Sequence, residues 1–200
     1  LIIGSLFSIQ SQEKFSKRKI SNLKQEVSQL VEEDKKMTQV MIDKVFSFGE
    51  LGFHEFETSK YLSKILEENG FDIEYQISGI PTSWLATWSN GEGGPTIALG
   101  SDFDGVPSTS QYPGVAYEKP VVEGAPGHGE GHNIGLPIVI TSAISIKKIM
   151  IENNISGTLV LWPGVAEEIL GAKAWYVRDG YFDNVDMCIF THVSTNMSTS

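Results

Sequence analysis

The sequence is poor in three features, and each shortage excludes a class of protein. Cysteine occurs once, at Cys188, so an internal disulfide framework is excluded. Basic residues are outnumbered, with 15 Lys and Arg against 25 Asp and Glu, and the formal net charge of -10 argues against a nucleic-acid partner. Apolar runs are short, so no membrane span is expected in the mature chain. Cys188 itself lies in the apolar run 185–190, which predicts an inert thiol in the core.

The two ends of the chain carry patterns of their own. Residues 1–7 are apolar and the stretch up to residue 12 is polar, which is typical of the end of a secretory signal. We therefore expect residues 1–12 to be a truncated signal peptide, which would make the protein periplasmic or secreted. Because no basic segment and no small-residue cleavage site are visible, a cytoplasmic location is the alternative. Residues 13–200 are expected to form the N-terminal part of a longer domain.

Helical periodicity dominates the first third of the chain and returns later. Apolar residues recur at three- and four-residue spacing over residues 20–48, which predicts one or two amphipathic helices with a break near residues 32–36. Gly49 and Gly52 are expected to end this region. A second helix is predicted from Thr58 to Asn69, a long one over residues 134–153 and another over residues 169–178.

Strand patterns alternate with these helices. They occupy residues 71–77, 83–88 and 96–100, and the short turn after residue 88 predicts that the last two pair antiparallel. Residues 158–162 and 185–191 are apolar runs typical of strands covered on both faces. The order predicts a three-layer αβα fold with a mostly parallel central sheet. Residues 103–126 lack periodicity, and loops of this length inside a domain are usually functional.

A short loop concentrates groups that bind metals. Residues 127–133 read Gly-His-Gly-Glu-Gly-His-Asn, and the glycines let Glu130 and His132 point to one side. His128 could be a further ligand or could support one. A metal ion needs several such bases converging at about 2 Å, so the loop predicts half of a metal site. The alternative is a solvent-exposed glycine-rich turn whose histidines have no role.

Further candidate groups follow predicted strands. Glu167 and Glu168 come after one strand and His192 after another, and ligands in open α/β sheets bind where strands end. Because adjacent side chains on a strand or turn diverge, one carboxylate is expected to bind metal while the other moves a proton. The alternative for the pair alone is a solvated helix start.

Two aspartates also follow a strand. Asp102 and Asp104 are two residues apart, so both can face the same direction in an extended chain. One of them could orient a ligating histidine. The alternative is an aspartate-rich turn without a role in metal binding.

Taken in order, these segments resemble the dinuclear metallopeptidase and amidohydrolase family that includes the aminoacylases and carboxypeptidases. The resemblance runs from about Glu33 to His192 and is nearest the p-aminobenzoyl-glutamate hydrolase branch, with the indole-acetyl amino acid hydrolases next. The matching stretches are residues 101–107 (SDFDGVP), 127–133 (GHGEGHN), 166–168 (AEE) followed by Gly171-Ala172, and 50–55 (ELGFHE) before Thr58-Ser59.

The resemblance implies an activity and a set of site residues. It makes Glu167 the general base, and it makes the following residues ligands of two divalent ions: Glu130, His132, Glu168 and His192. The ions would be zinc or manganese, with cobalt as an alternative. The implied reaction is hydrolysis, by a metal-activated water, of the amide bond of an N-acyl or N-aroyl amino acid. A dipeptidase, an aminopeptidase and a non-catalytic metal-binding relative stay open.

The resemblance also implies parts that this sequence lacks or changes. A last ligating histidine and a lid domain that forms a homodimer are expected beyond Ser200. Many relatives have cysteine at the position of Glu130. A hard carboxylate oxygen in place of a soft thiolate should accept manganese, cobalt or zinc without strong selection.

Overall fold

The structure is a computed structural model that describes residues 15–194. Two consecutive helices come first. They are α1 (Lys17–Glu33) and α2 (Lys35–Phe48), and their junction at Asp34 confirms the predicted break. The Ser16 side chain caps α1 by accepting a hydrogen bond from the Lys19 amide. Gly49 ends α2 in the left-handed conformation, at φ 54°, as expected of a helix-stopping glycine. The predicted signal segment, residues 1–12, lies outside the described residues.

A five-stranded sheet forms the centre of the fold, in the order β1-β2-β4-β3-β5. Strand β3 runs parallel to β4 and β5, whereas β2 is antiparallel to both β1 and β4. Four strands therefore point the same way and only β2 opposes them, so the mostly parallel prediction holds for strand directions although two of the four pairings are antiparallel. The strands are β1 (Asp72–Tyr75), β2 (Trp84–Asn90), β3 (Thr96–Asp102), β4 (Gly157–Gly164) and β5 (Met187–Thr191).

The predicted antiparallel pairing of the second and third strands is wrong, because β4 lies between them. Asn90 at the end of β2 pairs with Gly157, and Thr96 at the start of β3 pairs with Thr158. The turn between β2 and β3 passes over β4 so closely that a side chain at Gly94, whose φ is +81°, would collide with the Ser156 carbonyl. The apolar β4 takes the central place, where both of its faces are covered.

Helices cover both faces of the sheet and give three layers. Helices α3 (Phe56–Glu68) and α4 (His132–Glu152) pack on one face, where α3 contacts β1 and β2 and α4 contacts β3 and β4. On the other face Tyr176, from the short helix α5 (Lys173–Arg178), packs edge-on against Trp162 with ring centroids 6.1 Å apart. This arrangement confirms the predicted αβα fold.

Helix α4 is the most apolar helix of the described residues. By length and composition alone it could cross a membrane, so the expectation that apolar runs are short does not hold for this helix. In the fold 56% of its apolar window is buried, because α4 packs against α1, α2 and the sheet. Its apolar character is that of a core helix.

Two other predictions need correction. Strand β5 is not covered on both faces: it lies at the sheet edge, Met187 is 55% exposed and Ile189 46%, and Cys188 is exposed rather than in the core. The predicted helix 169–178 begins only at Lys173. It cannot start earlier because Leu170 and Ala172 have positive φ angles, 58° and 56°.

The predicted loop over residues 103–126 contains no helix or strand, and its base is fixed. Gly105 donates a backbone hydrogen bond to Glu50, and Val106 and Gly127 exchange two with each other at 2.8 and 3.1 Å. These two residues therefore close a loop of residues 107–126. Beside it lies a cavity of about 590 Å³ whose lining includes Thr109, Tyr117 and Gly129.

Candidate metal centre

The candidate site lies along the edge of the sheet formed by the carboxyl ends of its parallel strands. Strands β3, β4 and β5 are parallel, so their carboxyl ends meet there, as ligand sites in α/β sheets require. Asp102 ends β3, and a 3-10 turn, Glu167–Ile169, follows β4. His192 follows β5, and His132 is the first residue of α4.

His132 is the centre of this group. Its ring is buried, and Nδ1 lies 3.1 Å from the Asp104 backbone carbonyl and 3.4 Å from Asp104 Oδ1. The Asp104 contact holds the proton on Nδ1, so Nε2 is left with its lone pair. This Nε2 lies 3.0 Å from Nε2 of His192. Burial alone would lower the pKa of His132, but the bond to Asp104 and the charge of Asp102 outweigh it and raise that pKa.

Two overlapping sets of residues could hold a metal ion, and His132 belongs to both. In each set the ligand atoms lie within 4.8 Å of one another. The first set is Asp102, His132 and His192, and the second is His132, Glu167 and Glu168. The predicted residues at the ends of three strands are therefore brought together.

One carboxylate oxygen at the site is left without a donor. Glu168 Oε1 is buried and has no hydrogen-bond partner within residues 15–194, whereas the buried Asp104 Oδ1 has His132 Nδ1 3.4 Å away. Burial raises the pKa of Glu168, and the charges of Asp104, Glu130 and Glu167 raise it further against the opposing effect of His132. Carboxylates grouped with the imidazoles of His132 and His192 fit a divalent cation by charge and by ligand type.

The expectation that Glu167 and Glu168 diverge is wrong. Both carboxylates reach the surroundings of His132, and Glu168 Oε1 lies 3.9 Å from its Nδ1. The reason is local: the pair lies on a 3-10 turn, where successive side chains are about 120° apart, rather than on a strand. Asp104 Oδ2 holds this turn by accepting the Glu168 amide at 3.1 Å.

Asp102 and Asp104 both lie next to His132, as their spacing predicted, but Asp102 has a partner that sequence reasoning missed. Lys173 Nζ lies 2.7 Å from Asp102 Oδ1 and 3.0 Å from Oδ2. Burial raises the pKa of Asp102, and this ion pair opposes the rise. A single lysine at a helix start carries no signal in the sequence, so only the fold could reveal the pair.

Two candidates from the glycine-rich loop lie outside both sets. Glu130 is exposed, although its charge reaches Glu168. His128 is buried, and its Nε2 donates to the Val45 carbonyl of α2 at 3.1 Å, which anchors the loop to that helix. The ligand role of Glu130 stays a prediction, and His128 has a structural contact instead.

His128 should make stability depend on pH. Burial lowers its pKa from 6.5 to about 4, so over this range the unfolded chain binds a proton that the folded chain does not. His128 should therefore contribute a fall of about 3 kcal/mol in the free energy of unfolding as pH falls from 6.5 to 4. The raised pKa values of Glu168 and Asp102 oppose this fall, so the contribution is read from the difference between parent and variant. Denaturant unfolding of metal-free protein at several pH values measures this. His128→Gln, which keeps a donor for Val45 but does not titrate, should lose most of that slope; an unchanged slope would contradict the assignment.

An αβα fold with imidazoles and carboxylates at the carboxyl ends of its parallel strands defines a metal-binding enzyme-like domain. The chain matches no protein-family model. It is 31% identical over 166 residues to one of the subunits of p-aminobenzoyl-glutamate hydrolase of Escherichia coli, covering 83% of this chain and 34% of that protein. It is 30% identical over 139 residues to hippurate hydrolase of Campylobacter jejuni, covering 68% of this chain and 33% of that protein.

Solved structures agree on the fold. A dinuclear metal-binding peptidase from Bacillus subtilis superposes with a TM-score of 0.60 at 23% identity, over 80% of this chain and 44% of that one. An aminobenzoyl-glutamate utilization protein from Klebsiella pneumoniae gives 0.60 at 17% identity, over 85% and 46%. The chain belongs to the metallopeptidase and amidohydrolase family of these relatives, as the motifs indicated. It spans about a third of the length of the curated relatives.

Proposed function

We propose that the protein is a metal-dependent hydrolase that cleaves the amide bond between an acyl or aroyl group and an amino acid. The convergence of His132, Glu167 and Glu168 at the sheet edge carries this proposal. The names of the relatives support the substrate class, because hippurate and p-aminobenzoyl-glutamate are both aroyl amino acids.

Two divalent ions are part of the proposal, and we assign zinc or manganese with cobalt as the alternative. The proposed ligands are His132, Glu168, His192 and Glu130. Within residues 15–194, Lys173 is the lysine that forms an ion pair with the carboxylates around His132, and these carboxylates outnumber it, so bound cations would balance their charge. When bound, such ions supply Lewis-acid chemistry by lowering the pKa of a water and polarising a carbonyl oxygen.

The protein's own groups have distinct tasks. Glu167 is the proposed general base: it takes a proton from the attacking water and passes it to the leaving amine. Asp104 keeps the His132 proton on Nδ1 and also holds the Glu168 amide, so one aspartate orients two proposed ligands. Lys173 compensates the charge of Asp102 beside the imidazoles.

The test uses the complete protein, stripped with a chelator and reloaded with zinc, manganese or cobalt. Hippurate, p-aminobenzoyl-glutamate, N-acetyl amino acids and dipeptides form the substrate panel. We expect metal-dependent release of the amino acid from an acyl or aroyl substrate. Cleavage of dipeptides alone would indicate a peptidase, and metal binding without hydrolysis of any substrate would indicate a non-catalytic relative. Sedimentation of the same sample tests the homodimer that the resemblance implies.

A further inference from the structure

Glu55 is a fully buried carboxylate that none of the roles above uses. It precedes α3, its exposed fraction is 0%, and no salt bridge reaches it from the described residues. Its Oε1 accepts the backbone N–H of Ala166 at 2.9 Å, and its Oε2 accepts the Thr82 hydroxyl at 2.8 Å. Ala166 is 111 residues away in the chain, directly before Glu167. Burying a carboxylate is costly, and these two hydrogen bonds offset part of that cost.

Ala166 has a backbone conformation that needs support. Its φ is 55° and its ψ 41°, the left-handed region, which residues other than glycine seldom occupy. Its carbonyl accepts the Gly171 amide at 2.9 Å, which closes the turn. Gly52, three residues before Glu55, packs so tightly against it that an added Cβ would lie 2.9 Å from Ala166 Cα. The Glu55 segment therefore holds Ala166, the residue directly before the turn.

The same turn carries both acidic candidates of the metal centre. Glu167 and Glu168 follow Ala166, and Asp104 Oδ2 accepts the Glu168 amide at 3.1 Å. Two buried carboxylates, from Glu55 and Asp104, thus fix two of three consecutive peptide N–H groups. The direction of the Glu167 and Glu168 side chains depends on both.

We propose that Glu55 is a positioning residue: its carboxylate fixes the Ala166 backbone so that Glu167 and Glu168 face His132. The expected effect on metal affinity depends only on the candidate metal site. The expected effect on turnover rests on the proposed hydrolase function. Glu55 belongs to neither set of candidate ligands, and its hydrogen bond to Ala166 reaches the backbone directly before the turn.

The hydrogen bonds predict which substitutions are tolerated. Glutamine keeps an oxygen for the Ala166 amide and can turn its NH₂ group to the Thr82 hydroxyl oxygen. Alanine removes the acceptor, and aspartate is one methylene too short to reach the same amide from the same backbone position. The expected order of metal affinity, from tightest to weakest, is therefore the parent, then Glu55→Gln, then Glu55→Asp and Glu55→Ala.

Cobalt reports on the site without any need for turnover. The complete protein is titrated with Co²⁺ and followed by visible absorption. Glu55→Ala and Glu55→Asp are expected to bind Co²⁺ about 10-fold to 100-fold more weakly and with an altered spectrum, as is usual when support around metal ligands is lost. Glu55→Gln should stay within about threefold of the parent. With an aroyl amino acid substrate, kcat should fall by a similar factor while KM changes little.

Leu62→Ala is the matched control for a purely structural role. Leu62 is fully buried on α3, so its truncation destabilises the fold without removing either side-chain hydrogen bond that holds the turn. It should leave the cobalt spectrum and affinity unchanged. Aspartate retains the charge and most of the volume, so Glu55→Asp carries the test if Glu55→Ala does not fold.

Three results would overturn the proposal. They are parent-like cobalt binding in Glu55→Asp and Glu55→Ala, an equal loss in Glu55→Gln, or an equal loss in Leu62→Ala. If the parent protein hydrolyses no substrate of the panel, the proposed function fails, yet the cobalt comparison still decides whether Glu55 positions the turn.

Discussion

Replacing Glu167 with glutamine is expected to lower turnover by about 100-fold to 10,000-fold while bound metal is retained. Glutamine keeps the size of the side chain and removes its basicity, so the proton of the attacking water has no acceptor. The structure places Glu167 and Glu168 equally in one set around His132, so geometry alone does not separate base from ligand. Metal content by plasma emission, measured beside turnover, makes that separation.

Glu168→Gln is the matched variant, since it makes the same chemical change one residue along. It weakens a charged ligand, so activity should fall through lost metal and recover in part when manganese is added in excess. The two variants should fail in different ways. Loss of metal in Glu167→Gln, with retention in Glu168→Gln, would reverse the assigned roles.

His132→Ala is expected to weaken metal binding by at least about 100-fold and to abolish detectable turnover. The reason is that His132 belongs to both candidate sets, so one substitution removes a nitrogen ligand from each. Competition with a chromophoric chelator measures the affinity.

His128→Gln is the control for the His132 variant, because it alters the other histidine of the same loop. His128 binds the Val45 carbonyl and lies in neither set, so metal affinity should stay within a few-fold of the parent. Parent-like affinity in His132→Ala, or an equal loss in His128→Gln, would show that the site is not centred on His132.

The position of the candidate site could be predicted because short sequence patterns mark the ends of helices and strands. Glycine and the period of the apolar residues locate element ends such as Gly49, and parallel strands bring their carboxyl ends to one edge. The second rule places Asp102, the Glu167 and Glu168 pair, and His192 after strands that meet at that edge, and the glycine-rich loop supplies His132. The family motifs add their order along the chain.

What sequence reasoning missed depends on distant contacts. Nothing near residue 90 indicates that β4 will enter between β2 and β3, since that order follows from which strand is covered on both faces. The 3-10 turn depends on left-handed Ala166 and Leu170, whose residue types give no hint of that conformation. Glu55 and Lys173 meet partners 111 and 71 residues away, beyond any local pattern.

The paired hydrogen bonds between Val106 and Gly127 have a consequence for how this protein can diversify. They fix both ends of the loop formed by residues 107–126, and the Thr109 hydroxyl adds contacts to the Val106 and Gly127 carbonyls, each at 2.8 Å. Doubling the length of a flexible loop costs only about 0.6 kcal/mol in closure entropy. Insertions and deletions in this segment should therefore be tolerated at small cost, with little change at Asp104 and His128 beyond its fixed ends.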